Sequence, residues 1–539
     1  MNIRELLEKQ AKTYPDKVFL YFDEERITYK TFNLTVNRIA NGFKKMGIGK
    51  GDRVAIMLPN LPEFLYAWMG LNKIGAVEVP INIGFKAPEV SHILQHSESK
   101  GVIIHQDYYP IFDRLKKEGL PNPIDVIFYG EGIPCDGAIP FSTLLDGKAE
   151  LEDVAISEDD PAVCIYTSGT TDRPKGVLNS HRNWVLTGEA YAFTVGITPG
   201  DRVMTSNPLF HANAQVYPTM GSLAAGASLV LLRRFSSSQI LEQARHYQAT
   251  KLVLVQAVTP WVWNRPRMEN DGDHQIRTMV AGNVPSEIYH DFERRFNLKI
   301  QTIYSLTEAV FDVMGPREGT QPRKPGGIGV PMEHPDPQIK NEVAIVDENG
   351  VAVPGGKQGE IVIRNRATMI GYFKESEKTS ETKKNGWIHT GDIGYQDEEG
   401  YFFFVGRKKE IIRRRGELIS PSEVESVINS HPAVQESAVV GVPSGLGSGE
   451  EEVKVYVSLK PGESATAEMI LSWCEGKLAE FKIPRFLEFR SEFPKSAIGR
   501  IQKNVLKGER QNLGEGCYDG LKDGEGMANR SKREGKGVS

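Results

Sequence analysis

The stretch YTSGTTDRPKGV, from Tyr166 to Val177, places four hydroxyl side chains and a lysine directly after the apolar run PAVCI. Backbone N–H groups, hydroxyls and an ammonium all donate hydrogen bonds to anionic oxygens, so such a loop after a strand predicts a phosphate site. The loop is not a Walker loop, GxxxxGK[ST], because Pro174 precedes the lysine and Gly176 follows it. A P-loop NTPase is therefore excluded.

The composition is that of a globular protein that works on small molecules. Hydrophobic residues make up 40% and charged residues 25% of the 539 residues, and the net charge is −5. Without a basic excess the chain has no electrostatic footprint for nucleic acid, so we exclude nucleic acid as a partner. One core rarely organises a chain of this length, and we expect several structural units.

Cysteine usage and hydropathy indicate a reducing compartment and no integral membrane segment. The four cysteines are dispersed without CxxC pairs, which disfavours both a disulfide framework and a zinc site. The N-terminus reads as a charged amphipathic helix with Asn2 and Glu5 at capping-box spacing, not as a signal peptide. The longest apolar runs fall short of the roughly 18 to 20 residues that span a bilayer. We therefore expect a cytoplasmic protein.

The order of predicted elements indicates an α/β fold. Short apolar strands alternate with helix-length amphipathic stretches from Asp52 to about residue 325, which predicts two lobes of βαβ type. Short strands separated by turn residues then predict a small β-barrel subdomain over about 326–408. These parts form a large N-terminal domain, 1–408, and a helix-and-strand pattern predicts a small α+β C-terminal domain over 409–508. The residues 509–539, rich in Gly, Lys and Glu, predict a disordered tail.

The phosphate loop resembles the signature of the adenylate-forming (AMP-binding) superfamily, which contains acyl- and aryl-CoA synthetases, luciferases and the adenylation domains of peptide synthetases. Three further segments resemble later signatures of this family in the same order: YSLTE at Tyr304–Glu308, GWIHTGD ending at Asp392, and GRKKEIIRRRGELISPSEVE. The resemblance covers about Ile3 to Lys507. NPLFHANAQ is most similar to the branch of carnitine/crotonobetaine-CoA ligases and medium- to long-chain acyl-CoA synthetases.

The resemblance implies an AMP-forming acyl-CoA synthetase. Carboxylic acid, ATP and CoA would give acyl-CoA, AMP and diphosphate through an acyl-adenylate. ATP and Mg²⁺ would be the cofactors, and CoA would be a co-substrate. The acid would be a medium- or long-chain fatty acid or a related carboxylate. The small C-terminal domain would be mobile, and a homodimer is an ordinary expectation for the family.

The family's site residues fall on the following positions of this sequence. ATP or AMP would be bound by Thr167, Ser168, Gly169, Thr170, Thr171, Lys175, Ala281, Gly282, Asn283, Tyr304, Thr307, Asp392 and Arg407. The catalytic residues would be Lys175, Thr307, Glu308, Arg500 and Lys503, and Glu308 would also be the Mg²⁺ ligand. The acyl pocket would be lined by His211, Ala212, Asn213, Gln215 and Trp261, with Lys409 at the hinge and Gly416 in the CoA channel.

Three positions depart from the family pattern. Asp172 stands where glycine is usual, Ser305 replaces another glycine, and Arg500 occupies the position of the adenylation lysine, with Lys503 three residues further on. Arginine keeps the charge but is wider and less adaptable than lysine, so either Arg500 or Lys503 would contact the transferring group. Two alternatives to a CoA ligase therefore stay open: an enzyme that loads the acyl group onto a carrier protein, and a catalytically weak nucleotide-binding homologue.

Overall fold

The computed structural model of the chain describes residues 1–119, 124–132, 137–167, 174–255, 258–282, 284–414, 417–443, 451–495, 501–508 and 517–520. The chain divides into two compact units. The first contains Met1–Val346, Val362–Thr390 and Gln396–Phe403. The second contains Asp347–Ile361, Gly391–Tyr395 and the residues from Phe404 onward. The domain boundary near Lys408 and Lys409 stays a prediction.

Helices occur in both units. Their bounds are α1 (Ile3–Thr13), α2 (Tyr29–Lys45), α3 (Pro62–Lys73), α4 (Ala87–Ser97), α5 (Tyr109–Glu118), α6 (His181–Val195), α7 (Ala212–Ala214), α8 (Gly221–Ala225), α9 (Ile240–His246), α10 (Thr259–Trp263), α11 (Ser286–Phe296), α12 (Ser376–Thr382), α13 (Pro421–Asn429), α14 (Ala467–Cys474) and α15 (Lys503–Gly508). Among the described residues, no helix combines the length and the apolar character needed to cross a bilayer.

The strands of the first half of the chain belong to two large sheets. Their bounds are β1 (Val18–Phe22), β2 (Glu25–Thr28), β3 (Arg53–Met57), β4 (Val77–Pro80), β5 (Gly101–His105), β6 (Asp125–Tyr129), β7 (Ile139–Pro140), β8 (Pro161–Thr167), β9 (Lys175–Ser180), β10 (Arg202–Thr205), β11 (Ser228–Leu231), β12 (Lys251–Leu254), β13 (Thr278–Ala281) and β14 (Lys299–Tyr304).

The remaining strands extend into the second unit. Their bounds are β15 (Val313–Met314), β16 (Val330–Pro331), β17 (Asn341–Val346), β18 (Gly359–Asn365), β19 (Gly371–Tyr372), β20 (Lys383–Lys384), β21 (Trp387–Gln396), β22 (Phe402–Arg407), β23 (Ile412–Arg414), β24 (Glu417–Ile419), β25 (Val434–Pro443), β26 (Glu451–Leu459), β27 (Phe486–Phe489) and β28 (Tyr518–Asp519).

The N-terminal helix begins where the sequence predicts it. The Asn2 side chain accepts a hydrogen bond from the backbone N–H of Glu5, and the Glu5 carboxylate accepts one from the Asn2 backbone. This reciprocal pair satisfies two donors that the first turn of a helix otherwise leaves unpaired. Ile3, Leu6 and Leu7 are buried on one face of α1, so both the predicted capping box and the predicted apolar face are confirmed.

The two α/β lobes are built on two separate sheets, as the alternation of strands and helices predicted. The eight-stranded sheet has the order β19-β9-β8-β4-β3-β5-β6-β7, and the nine-stranded sheet has the order β16-β15-β14-β13-β12-β10-β11-β1-β2. The central strands β4, β3 and β5, and likewise β11, β10, β12, β13 and β14, pair in parallel. Parallel strands end at the same edge of a sheet, which is where α/β proteins bind ligands.

Two strands join these sheets from distant parts of the chain. β1 pairs in parallel with β11, so the N-terminal hairpin extends the sheet of the second lobe. β19 pairs antiparallel with β9, with Tyr372 opposite Val177. The second pairing brings a segment from beyond the two lobes beside the phosphate segment.

The predicted β subdomain takes the form of a five-stranded sheet. Its order is β17-β18-β21-β20, with β22 paired to β21. The pairings of the described residues leave this order open, so the barrel that we expected is not found among them. The edge strand β20 is only two residues long, which is too short to pair along the opposite edge and close the sheet.

The second unit contains the predicted α+β domain. β25, β26, β27 and β28 form a four-stranded sheet, and β23 and β24 form a hairpin. Val424 and Ile428 of α13 pack with Val439, Val455 and Ile470 in its core. The strands and helices alternate here as the sequence predicted.

The prediction of a disordered tail is wrong for residues 517–520. Tyr518 and Asp519 form β28, which pairs antiparallel with Phe486 and Leu487 of β27. Both oxygens of Asp519 accept hydrogen bonds from the guanidinium of Arg485, at 3.0 and 3.1 Å. Composition alone missed this strand because a two-point ion pair and one apolar ring fix it locally. The other tail residues lie outside the described residues.

Candidate active site

The predicted phosphate segment is flanked by two antiparallel strands whose ends lie opposite each other. Thr167 ends β8, Lys175 begins β9, and the two residues are direct partners in the ladder. Side chains of directly opposed residues lie on the same face of a sheet, so the hydroxyl and the ammonium project from one face. The structure thus brings together the two ends of the segment. Ser168, Gly169, Thr170, Thr171 and Asp172 lie outside the described residues.

Close packing fixes the start of β9. A Cβ atom on Gly176 would lie 2.8 Å from Sγ of Cys164 and 3.1 Å from Cζ of Tyr166. Contacts this short do not occur between real side chains, so any larger residue would push β9 away from β8. Glycine at this position therefore lets Lys175 start directly beside Thr167.

The segment Tyr304–Glu308 follows the end of β14. The amide of Asn179 donates to the carbonyl of Thr307 at 3.1 Å, and the backbone N–H of Leu306 donates to Asp312 at 2.8 Å. Ser305 Oγ lies 2.7 Å from the buried hydroxyl of Tyr217. The segment is thereby held on three sides, and the Ser305 hydroxyl has a specific partner that a glycine would lack.

Tyr372 connects the predicted catalytic lysine with the predicted metal ligand. Its hydroxyl donates to Oε1 of Glu308 at 2.8 Å, and the ammonium of Lys175 lies 5.4 Å from the centre of its ring. Burial and the charge of Glu308 raise the pKa of Tyr372, so the hydroxyl keeps its proton and acts as the donor. Sequence reasoning missed this residue; the only signal was its place in the GYF stretch that precedes GWIHTGD.

The donor set fits one Mg²⁺ ion bound jointly with phosphates. Glu308 is half-buried and supplies a carboxylate, which is the ligand type that Mg²⁺ prefers. The described residues contain no cluster of three or more His, Cys, Asp or Glu side chains that could hold a metal ion. A single carboxylate is consistent with Mg²⁺, because this ion usually keeps water ligands and shares its site with substrate phosphates.

The predicted adenine positions lie at the carboxyl ends of neighbouring strands. Ala281 ends β13 and is buried, and it pairs in parallel with Thr302 of β14, two residues before Tyr304. Gly282 follows directly and is half-buried. The structure therefore brings Ala281, Gly282 and Tyr304 to one edge of the nine-stranded sheet. Asn283 lies outside the described residues.

The predicted acyl-pocket residues around α7 carry no charge. The Nε2 atom of His211 is buried and has no hydrogen-bond partner among the described residues. Burial lowers the pKa of His211 to about 4, so the imidazole is neutral at physiological pH. Ala212 is buried, and Oδ1 of Asn213 accepts a hydrogen bond from the amide of Asn207 at 2.6 Å.

Gln215 uses its carboxamide within the protein interior. Its Nε2 donates to Oε1 of Glu78 at 3.0 Å and to the carbonyl of Leu209 at 2.9 Å, and its oxygen accepts from the indole of Trp184 at 3.1 Å. Burial raises the pKa of Glu78 well above its usual range, so this acid is neutral. The structure thus ties Gln215 into the wall behind His211 and leaves no donor or acceptor for a ligand.

Trp261 lies in α10 with 53% of its surface exposed, and its ring centre is 6.1 Å from that of Phe235. The exposure excludes core packing as its role.

In the second unit, the structure brings together the two residues predicted to bind the ribose. Nε of Arg407, at the end of β22, lies 2.7 Å from Oδ1 of Asp392 on β21. Asp392 is almost fully buried, whereas Arg407 is partly exposed. Lys409 is exposed in the turn that follows β22. Gly416 lies outside the described residues.

The structure describes one of the two candidate cations near the C-terminus. Lys503 begins α15 and its ammonium lies 2.7 Å from Oε1 of Glu425. The same oxygen accepts the backbone N–H of Val439 at 2.6 Å. Lys503 is therefore engaged within the second unit. Arg500 lies outside the described residues.

An α/β scaffold whose strands end in hydroxyl, lysine and carboxylate groups is typical of enzymes that bind a nucleotide. Comparison of the chain with protein-family models identifies this enzyme class more closely. The AMP-binding enzyme family matches residues 7–373, and the AMP-binding enzyme C-terminal domain matches residues 423–500. The chain therefore belongs to the AMP-binding enzyme family.

Individual relatives agree with this assignment. The chain is 34% identical over 521 residues to the crotonobetaine/carnitine–CoA ligase of Salmonella agona (strain SL483), covering 94% of this chain and 99% of the relative. The structure is similar to that of the anthranilate CoA ligase AuaEII in complex with anthranoyl-AMP, with a TM-score of 0.85, 27% identity, and 94% and 96% coverage. It is also similar to the fatty acyl CoA synthetase of Mycobacterium tuberculosis, with a TM-score of 0.72, 29% identity, and 95% and 98% coverage. The chain is an AMP-forming acid–thiol ligase, an enzyme class that uses ATP, Mg²⁺ and CoA.

Proposed function

We propose that this enzyme activates a medium- or long-chain carboxylic acid with ATP and transfers the acyl group to CoA. The observation that carries the proposal is the double contact of Tyr372, whose ring faces Lys175 and whose hydroxyl binds Glu308. A phosphate-binding cation and a metal-binding carboxylate are thereby held at a fixed separation. Such an arrangement supports a reaction in which charge develops on phosphate oxygens.

In the first step, a carboxylate oxygen of the acid attacks the α-phosphorus of ATP and diphosphate leaves. Lys175 and the Thr167 hydroxyl would bind the leaving β- and γ-phosphates, and the Thr307 hydroxyl would contact the α-phosphate. Glu308 would hold Mg²⁺, which neutralises phosphate charge when bound. Positioning and electrostatic stabilisation are the main contributions that a protein makes to such a transfer.

The resemblance to the family also assigns residues to the adenine and to the ribose. Tyr304 would stack on the adenine beside Ala281 and Gly282, and Asp392 would accept the two ribose hydroxyls. The guanidinium of Arg407, 2.7 Å from Asp392, would orient that carboxylate and reach the ribose itself.

In the second step, the CoA thiolate attacks the carbonyl carbon of the acyl-adenylate and AMP leaves. His211 would separate the acyl site from the CoA channel, and Lys409 would be the hinge position. Neutral imidazole suits this place, because an imidazolium would attract the adenylate phosphate away from its own site.

The absence of charge at the described acyl-pocket positions favours an uncharged acyl chain. Burial favours the neutral forms of His211 and Glu78, the Gln215 amide donates within the protein, and the Asn213 oxygen accepts from Asn207. Burying a charged substrate group against such a wall would be costly, whereas an alkyl chain gains about 0.8 kcal/mol for each CH₂ that it buries.

A second candidate substrate class is a carboxylate with a quaternary ammonium group. Relatives that are 34% identical over nearly the whole chain are crotonobetaine/carnitine–CoA ligases. The exposed ring of Trp261 is the one described pocket residue that suits such a cation, because quaternary ammonium groups bind to indole faces.

A substrate panel tests both candidates. Purified enzyme would be incubated with MgATP and CoA and with acids from acetate to palmitate, benzoate, carnitine and crotonobetaine, and AMP and acyl-CoA would be quantified. We expect the highest kcat/KM for acids of about six to sixteen carbons. A preference for crotonobetaine or carnitine of more than tenfold would replace the fatty acid with the second candidate.

Exchanging the acyl acceptor tests the CoA step. AMP formation that depends on a holo-carrier protein, and not on CoA, would identify a carrier-protein-loading enzyme. MgATP binding without AMP formation for any acid would identify a catalytically weak homologue. The homodimer and the cytoplasmic location expected from the sequence stay predictions.

A further inference from the structure

Helix α4 presents two histidines, one turn apart, to the strands that flank the phosphate segment. The rings of His92 and His96 are stacked, with centroids 5.4 Å apart and an interplanar angle of 29°. Residues four apart lie on the same face of a helix, so both rings point to the same neighbours. Neither residue belongs to a signature of the family, and neither was a predicted site residue.

His92 contacts the residue that directly precedes Lys175. Its Nε2 lies 3.0 Å from the carbonyl oxygen of Pro174. A carbonyl can only accept, so this nitrogen carries the proton and His92 is the donor. Pro174 has no N–H that could pair with β8. The hydrogen bond from His92 fixes the Pro174 carbonyl at the C-terminal end of the segment.

His96 contacts the residue that directly precedes Thr167. Its Nδ1 lies 2.8 Å from the hydroxyl of Tyr166, and the two rings are nearly perpendicular. Burial raises the pKa of Tyr166, so this hydroxyl keeps its proton and donates to an unprotonated Nδ1. A phenol oxygen can also accept a hydrogen bond, so protonation of His96 would reverse this bond and add a positive charge to the cluster.

The ladder between the two strands ends at these positions. The pairs Tyr166–Gly176 and Thr167–Lys175 are the last of the register between β8 and β9. Tyr166 packs against Gly176 so closely that a Cβ atom there would lie 3.1 Å from the ring. A shift of Tyr166 would therefore move β9 as well, and the hydrogen bond from Tyr166 to His96 opposes such a shift.

The same helix contacts a third segment of the site. The ring of Phe373 lies 5.8 Å from that of His96, and the ammonium of Lys374 donates to the His96 carbonyl at 3.3 Å. Both residues follow Tyr372, whose ring faces Lys175. One turn of α4 thus contacts all three segments that surround the lysine.

We propose that His92 and His96 are positioning residues that set the two ends of the phosphate segment, and thereby Thr167 and Lys175, for binding the β- and γ-phosphates of ATP. The inference rests on the proposed role of Thr167 and Lys175. It adds a pair of half-buried histidines, outside the nucleotide contacts themselves, to the determinants of ATP affinity.

The proposal predicts that acid weakens ATP binding through His96. Protonation would reverse the hydrogen bond between His96 and Tyr166 and place a positive charge beside His92 and Lys374. Arg53 faces the same cluster through Phe373, while Glu98 and Glu375 offset part of this charge. Burial, followed by the charges of His92 and Lys374, lowers the pKa of His96. The neutral form therefore persists at pH 7, and binding should weaken only on the acid side of the ordinary histidine pKa.

MgATP affinity, measured by calorimetry without acid or CoA, tests the proposal on the full chain. His92→Leu and His96→Leu remove the hydrogen bonds, and each should raise the Kd for MgATP about tenfold, the loss expected for one buried hydrogen bond. His92→Gln places an amide donor near Nε2 and His96→Asn places an amide oxygen near Nδ1, so both should stay within about threefold of wild type. Gln95→Ala, an exposed position between the two histidines on the same helix, is the matched control and should leave Kd unchanged.

Two further measurements separate positioning from folding and from the role of the loop. Between pH 7.5 and 5.5 the wild type should lose affinity, whereas His96→Asn should show a flatter profile. If the leucine variants unfold, the amide variants and the pH profile still decide the question. Unchanged Kd in both leucine variants, or an equal pH dependence in His96→Asn, would overturn the inference. Lys175→Ala should also weaken binding; no change there would refute the role of the loop, and the inference with it.

Discussion

Tyr372 lies where two predicted roles meet, although no signature of the family contains it. Its hydroxyl fixes one oxygen of Glu308 and leaves the other free to face a metal ion, while its ring holds the ammonium of Lys175. The residue therefore links metal binding to phosphate binding through a single side chain.

Substitutions at Tyr372 separate these two contacts. Tyr372→Phe keeps the ring and removes the hydroxyl, so kcat should fall about tenfold and the Mg²⁺ concentration for half-maximal rate should rise, since one hydrogen bond to a carboxylate is worth about 1.5 to 3 kcal/mol. Tyr372→Leu removes the ring as well and should also raise KM for ATP. Initial rates of AMP formation at varied Mg²⁺ and ATP measure both effects. Equal behaviour of the two variants would contradict separate roles.

The two C-terminal cations can be distinguished by single substitutions. Lys503 is paired with Glu425 in the second unit, so we expect Arg500 to be the cation that contacts the transferring phosphoryl group. Arg500→Ala should reduce acid-dependent ATP–diphosphate exchange by at least 100-fold, because a charge that acts only in the transition state lowers kcat directly. Lys503→Ala should lower the thermal midpoint and leave exchange within about threefold. The reverse pattern would assign the role to Lys503.

At the scale of elements, the sequence predicted well those helices and strands whose formation depends on residues close together in the chain. The capping box of α1, the alternation of strands and helices in both lobes, and the α+β pattern of the second unit all follow from nearest neighbours in sequence. The signatures likewise assigned Thr167 and Lys175 to the phosphates and Asp392 and Arg407 to the ribose, and the structure places the members of each pair side by side. These predictions depended on residues whose spacing the chain itself sets.

Pairings between distant segments could not be predicted in this way. β1 joins β11 and β19 joins β9, and in both cases the partners are set by the packing of whole layers. Tyr372 was missed for the same reason, because only the pairing of β19 with β9 brings it to Lys175. The sequence of a short strand does not indicate which sheet edge it will pair with.

The strand β28 gives a testable case of such a distant pairing. Asp519→Ala removes both hydrogen bonds to Arg485, and it should destabilise the second unit by about 1 to 2 kcal/mol, the range for a partly buried, two-point ion pair. Urea unfolding followed by a probe in the second unit measures the change. Arg114→Ala breaks an ion pair in which both side chains are more than half exposed and serves as the control, with an expected change below about 0.5 kcal/mol. Equal stability of the two variants would mean that β28 adds nothing.

At the scale of the whole molecule, buried histidines couple stability to pH. His181 is fully buried, and neither ring nitrogen has a partner among the described residues. Burial lowers its pKa to about 4, and His211 behaves in the same way. Below the ordinary histidine pKa of about 6.5, the unfolded chain takes up protons that the folded chain excludes, so stability falls as the pH drops from about 6.5 towards 4.

Thermal midpoints measured between pH 7.5 and 4.5 test this coupling. His181 alone accounts for a loss of up to about 3 kcal/mol across this window, at about 1.4 kcal/mol per pKa unit. His181→Gln should therefore show a shallower acid decline than wild type, whatever its stability at pH 7.5. His290→Gln, which changes a mostly exposed histidine, should keep the wild-type slope. An unchanged slope in His181→Gln would rule out this residue as a source.

The short strand β28 also determines whether the backbone groups of β27 are available to pair with other molecules. β27 has β26 on one side and β28 on the other, so without β28 its backbone N–H and C=O groups would face solvent next to the exposed ring of Phe489. Unpaired strands of this kind recruit further strands from neighbouring chains. Tyr518 and Asp519 of β28 thus prevent further strands from adding to this edge of the sheet. A chain that ends at residue 508 would self-associate at concentrations at which the full chain does not.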